Sequence, residues 1–478
     1  MKPSLFTTLV LAISILLAGC GGGGAASDGI NGTTSNAVAT ITAAEISTYS
    51  DAQIAALGST IALLSPAALQ ALSFGTNSQG NPVGQIETIS AAQIAALSPA
   101  QVQQIGAAGP GGVATSTALI RWLNVGAWSQ LASNPAQVAA ITAAEVPTLT
   151  DGEVTALGTN IALLSDTALE ALTFGTDTAN PIGQIESISA AQLAALSPAQ
   201  VRLLGAAGVG GVATTSQIRW LNAGAWSVLG SSPLQVAAIT ADEVPTLSDE
   251  EIIALGQNIN QLSNAALEAL TFGTNAANPT GQIESISAAQ IASLTPAQVR
   301  LIGAAGAGGV ATTAEIRWLN AGAWSALAGI PLQVAAITAQ EVPTLSDGEI
   351  AALGLNINQL SLAALGALTW GTNAANPTGQ IESISAAQIA TLSPAQISAI
   401  AWVAPGTGIA YLNLGAFGTL STAQVGALIP ANMSAVTAAE LAALTPAAIA
   451  GLSPAVVASL SAAQKALLSS PQHAACGC

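Results

Sequence analysis

Apolar residues recur along this chain in an eight-residue beat, and a small polar residue opens each beat. Residues 189–196 read SAAQLAAL and 197–204 read SPAQVRLL, while 142–149 (TAAEVPTL) and 150–157 (TDGEVTAL) follow the same plan. Four such octads run in succession from Thr437, Thr445, Ser453 and Ser461, ending at Leu444, Leu452, Leu460 and Leu468. Ser or Thr followed three residues later by Gln or Glu is a capping box, which satisfies the orphan amides of a helix start. Proline directly after the cap, as at Pro99, Pro198, Pro296, Pro394, Pro446 and Pro454, occupies the first helical position, where its missing N–H costs nothing. The aliphatic fifth residue and the closing Leu lie three apart, so they share one helix face.

An eight-residue period cannot continue as one helix. Eight steps of about 100° leave a drift of about 80° per unit, so the apolar seam would wind around the rod. The pattern therefore predicts helices of one to two turns, restarted at each Ser or Thr. Pro147, Pro245 and Pro343 shorten the helices that carry them still further. Such helices are unstable alone, because nucleation is costly, and must stack. The expected fold class is all-α: an α-solenoid-like array of short capped helices with Gly-rich connecting loops. The competing β-solenoid draws on the Ile, Val and Thr content, and short strands are conceivable at 113–115 and 212–215; the capping boxes, the abundant Ala and the Pro beside each cap favour helices.

A longer repeat encloses the octads. The string ITAAE begins at Ile41 and Ile141, and ITADE and ITAQE begin at Ile239 and Ile337, steps of 100, 98 and 98 residues. This divides the chain into repeats over 37–140, 141–238 and 239–336, a divergent fourth over 337–436, C-terminal octads over 437–470 and a tail over 471–478. In the fourth copy Tyr411 and Phe417 replace the Trp pair and the preceding Arg is lost, as in a terminal capping repeat.

The first twenty residues follow another rule. Lys2 precedes an apolar run from Leu5 to Ala18, the length of a signal-peptide core and too short for a spanning helix. Leu17-Ala18-Gly19-Cys20 resembles the lipobox of bacterial lipoproteins. That resemblance implies removal of residues 1–19, lipid on Cys20 and a membrane partner reached through the anchor, with 20–36 as a flexible Gly-rich tether. Gly21 in place of Asp implies, by the same resemblance, the outer membrane. The octads resemble the LSPAQV and LTxAQI repeats of some large bacterial surface proteins, which implies a surface or adhesion role.

Composition narrows the function. The 24 acidic residues face only 7 basic ones, a formal charge of −17, which excludes neutralising a run of phosphates and hence nucleic acid. His473 is the only histidine, and no nucleophile motif, P-loop or HExxH is present, so catalysis and a cofactor are not expected. Aromatics are only 3% of the chain, and six of the eight tryptophans recur in one segment, Arg-Trp-Leu-Asn-x-Gly-Ala-Trp. Arg121, Trp122 and Trp128, Arg219, Trp220 and Trp226, and Arg317, Trp318 and Trp324 form a candidate binding ladder for a protein or glycan partner; alternatively the rings are core for an Ala-rich array. The Asn-rich loop with Asn275, Asn278, Gln282 and Glu284 offers oxygens to Ca²⁺, or is simply a turn-rich connector. His473, Cys476 and Cys478 would suit a soft metal, a local disulfide, an intermolecular cross-link or an idle tail. The reading that gathers these features is a non-enzymatic, lipid-anchored envelope scaffold for adhesion, matrix or interaction. Its alternatives are a lipoprotein binding Ca²⁺ or glycan and, lower, an ice- or surface-binding protein.

Overall fold

The computed structural model describes residues 33–75, 84–109, 117–175, 183–208, 215–273, 281–306, 313–371 and 379–478. Among these residues every regular element is an α- or 3₁₀ helix, three to nine residues long, and the chain is an all-α repeat array. The segment 113–115 lies outside the described residues, as does 212–215 apart from Thr215.

Each octad folds as its local chemistry requires. In the helix Ala190–Ala195, Ser189 accepts from the Gln192 N–H at 3.3 Å while Gln192 Oε1 accepts from the Ser189 N–H at 2.9 Å. The proline octads give helices such as Pro198–Val201, with Pro at the first turn. The EVPTL octads yield only the three-residue 3₁₀ helices Val146–Thr148, Val244–Thr246 and Val342–Thr344. Where one helix must turn sharply into the next without a cap, as between Asp151–Ala156 and Gly158–Leu163, Gly158 takes φ +52°, a left-handed conformation that glycine adopts without steric cost.

The helices stack in three columns, visited in turn. From residue 347 onward, the first column comprises Gly354–Gln359, Ala386–Thr391, Leu414–Gly418, Ala438–Ala443 and Ala462–Ala466. The second holds Leu362–Leu365, Pro394–Ala401, Thr422–Val425, Pro446–Ile449 and Ser470–Cys476. The third holds Asp347–Ala352, Gln380–Ser383, Gly408–Tyr411, Pro430–Met433 and Pro454–Ser459. At the C-terminal end, therefore, three octads make one turn. Upstream, Gly158–Leu163 packs on Ala190–Ala195, then on Ala223–Ser231, then on Gly256–Gln261, its own counterpart one long repeat later. A 98-residue repeat is thus three turns. The fifth-position aliphatics and closing leucines point inward, and Ile94, Leu193, Ile291 and Ile389 are fully buried.

Hydrogen bonds between turns explain the choice of capping residue. Beyond closing its own box, Gln192 donates from Nε2 to the Val154 carbonyl at 2.8 Å, in the turn beneath. Gln235 likewise reaches Leu193 and Leu196, and Gln333 reaches Ile291 and Leu294. A glutamine both accepts and donates; a glutamate only accepts. At 145 and 341 glutamate stands where a second donor faces it: Glu145 Oε2 accepts from Thr142 N–H and its Oε1 from Ala118 N–H, and Glu341 also accepts from Ala314.

Two expectations are corrected. Thr33–Ala39 is helical and packs on Gly58–Leu63, so the array takes in residues 33–36 of the stretch assigned to the tether. The tail is also a helix, Ser470–Cys476, because Gln472 caps it and donates to the Ala442 and Leu444 carbonyls of an earlier turn. Among the described residues no helix is long and apolar enough to cross a membrane.

The buried caps predict an unusual pH response. Burial raises the carboxyls of Glu145, Glu243 and Glu341, and equally those of Glu153, Glu251 and Glu349, above the ordinary glutamate value; cap hydrogen bonds and nearby arginines offset only a fraction of this. A raised folded-state value means that folding favours the protonated form. The stability it contributes is complete below the unfolded value of about 4.3 and is lost as pH rises through the folded values. The melting temperature is therefore expected to rise as pH is lowered from 7.5 toward about 4. The triple substitution Glu145→Gln, Glu243→Gln, Glu341→Gln should flatten that slope; a melting temperature that falls on mild acidification would contradict the assignment.

Candidate functional site

The Arg-Trp segments sit on 3₁₀ helices, Ile120–Trp122, Ile218–Trp220 and Ile316–Trp318, each followed by a nine-residue helix capped by Asn124, Asn222 or Asn320. The Asn side chain accepts from its own helix and donates to two carbonyls of the turn below, Glu284 and Ile286 in the case of Asn320. The segment is thereby pinned at its middle.

The two tryptophans of each segment have different fates. Trp128, Trp226 and Trp324 are only 3–4% exposed, and the indole N–H of Trp128 and of Trp324 donates to the Glu153 and Glu349 carbonyls. As rungs of an exposed ladder these three are corrected: the Ala-rich interior needs their volume. Trp122, Trp220 and Trp318 are half-buried. Each rests against a phenylalanine of an earlier turn (Phe74, Phe174 and Phe272, centroids 6.0, 6.4 and 6.2 Å apart). The guanidinium carbons of Arg121, Arg219 and Arg317 lie 4.8, 5.1 and 5.3 Å from the same ring centroids, within cation–π range. Those rings are therefore largely engaged, and the outward-facing chemistry of each site is the exposed arginine. In the fourth copy Tyr411 rests on Trp370 instead.

Beside the third segment is an open cleft of about 710 Å³, lined among others by Arg317, Trp318, Trp324, Ser346, Glu349 and Thr369. Arg317 Nε pairs with Glu315 at 3.1 Å, and its charge opposes the burial that raises Glu349. The lining residues recur one repeat earlier as Arg219, Trp220, Trp226, Ser248, Glu251 and Thr271, and again as Arg121, Trp122, Trp128, Thr150, Glu153 and Thr173. The charges of Arg121 and Arg219 likewise oppose the burial that raises Glu153 and Glu251.

The Asn-rich loop fares less well as a cation site. Asn275 and Asn278 lie outside the described residues. Gln282 is fully buried and committed: Oε1 accepts from Thr271 N–H, and Nε2 donates to Val244 and Leu247. Glu284 Oε1 accepts from Gly273 N–H at 2.8 Å, so this pair clamps the two ends of the loop. Glu284 Oε2 is buried and unpartnered, as are the matching oxygens of Glu186 and Glu382. The clamp was invisible in the sequence, although its strict recurrence at Gln184 and Glu186 and at Gln380 and Glu382 was the available signal. Cys476 and Cys478 form a disulfide, and His473 Nδ1 lies 3.0 Å from the Cys478 carbonyl oxygen; among the described residues no group of three potential metal ligands gathers. Comparison with known protein families, curated proteins and solved structures gives no match to this chain.

Proposed function

We propose that the chain is a lipid-anchored envelope scaffold, held through Cys20, which displays the arginine-bearing clefts to a protein or glycan partner. The observation that carries this reading is the recurrence of one constellation, Arg317, Trp318, Ser346 and Glu349 with its two earlier copies, at an unvarying 98-residue step along one array. Stacked helices lie about 8–10 Å apart, so three turns separate equivalent clefts by roughly 25–30 Å. Sites held at fixed intervals on a stacked array engage a repetitive partner with avidity that no single shallow cleft supplies. The lipobox at 17–20 supplies the anchor, with lipid chains contributing about 0.8 kcal/mol for each buried methylene.

Labelling the native host with a fatty-acid analogue, with and without Cys20→Ser, tests the anchor. The label is expected on the parent chain, and the variant should leave the membrane fraction. External protease on intact cells tests display: digestion is expected, and full protection would count against an outward-facing scaffold.

A further inference from the structure

We propose that Cys476 and Cys478 form a thiol–disulfide exchange site for a thiol-bearing partner. A disulfide stabilises a fold mainly by closing a loop in the unfolded chain, and the effect shrinks as the loop shortens. This one spans two residues and joins the last residue of the helix Ser470–Cys476 to the residue just past its cap. It ties no two elements together, so a structural role explains little of it.

Its setting suits exchange. The helix is fixed to the array by Gln472, which donates to Ala442 and Leu444 in an earlier turn. Gly477 takes φ +65° and donates to His473, while His473 Nδ1 lies beside the Cys478 carbonyl, so the small ring is held against the helix end. Both cysteines are only partly buried, at the edge of the core, and Gly477 between them is exposed, with nothing within 4 Å of a Cβ placed there. Local charge does not oppose the approach of an anion here. The chain carries −17 overall, yet no Asp or Glu occurs between Leu441 and Cys478, where Lys465 and His473 reside. No acidic side chain of these last octads repels an approaching thiolate.

In the reaction a partner thiolate attacks one sulfur, a new S–S bond forms, and the electron pair of the broken bond leaves on the other cysteine. A second thiol of the partner then attacks the mixed disulfide. The partner dithiol loses two electrons and two protons, and Cys476 and Cys478 gain them. No further reactant is required. The site does not depend on the anchor at Cys20.

The test uses the chain with Cys20→Ser, reduced glutathione as the probe, alkylation of thiols and intact mass. Glutathione adducts and the dithiol are expected in the folded chain at a rate within about tenfold of that in urea. The double variant Cys476→Ser, Cys478→Ser should melt within about two degrees of the parent. Protection of the folded chain by more than about a hundredfold, or a clearly lower melting temperature in the double variant, would overturn the proposal in favour of a structural cross-link.

Discussion

Gln282→Leu is expected to destabilise the array by about 2–6 kcal/mol, read as a fall in the urea midpoint. The side chain is fully buried, accepts from Thr271 N–H at 3.0 Å and donates to the Val244 and Leu247 carbonyls, both at 2.7 Å. Leucine fills the space but leaves the Thr271 N–H and the Leu247 carbonyl unpaired, at about 1–3 kcal/mol each, while the Val244 carbonyl keeps its bond from the Leu247 N–H. Because a stacked array responds locally, hydrogen exchange should quicken first around 244–247 and 271. Gln282→Glu provides the sharper comparison. It keeps the acceptor for Thr271 but turns a carboxylate oxygen toward two carbonyl oxygens, so the damage should be at least as large at neutral pH. It should recover partly in acid, where the protonated group regains one donor. A midpoint within experimental scatter of the parent for both variants would show that the lateral hydrogen bonds do not hold the turns together.

The second large effect concerns the tryptophans. Trp324→Ala is expected to lose about 3–5 kcal/mol, the range for removing a buried large aromatic, because Trp324 is 3% exposed and also donates to the Glu349 carbonyl at 3.2 Å. Arg317→Ala should cost less than about 1 kcal/mol, since the arginine is exposed and its contacts with Glu315 and the Trp318 ring are solvent-screened. The contrast separates scaffold from site. If the arginine variant unfolds the array while the tryptophan variant leaves it intact, the division of the segment into a buried anchor and an exposed cleft is wrong.

Much of this molecule was legible beforehand because its governing interactions are local. A capping box spans four residues, so Ser189 and Gln192 announce a helix start whatever surrounds them. Proline after the cap and the inward pair at the fifth and eighth positions are equally short-range. The all-α array, the restarted helices and the 98-residue step follow from such signals alone. The functional segment was legible only as a recurrence. Nothing in Arg-Trp-Leu-Asn-x-Gly-Ala-Trp distinguishes Trp318 from Trp324, because burial depends on the turns above and below.

Long-range contacts account for the rest. Why Gln at 192 and Glu at 145 becomes clear only when the neighbouring turn presents a carbonyl to the first and an N–H to the second, 38 and 27 residues away along the chain. The same holds for the clamp of Gln282 and Glu284, which gives backbone partners to one oxygen of each of two apparent cation ligands. Helix starts are written in the chain because each needs only its own first turn. Which faces are buried, which polar groups are spent and where a cleft opens depend on how separate turns meet, and no single stretch of residues holds that information.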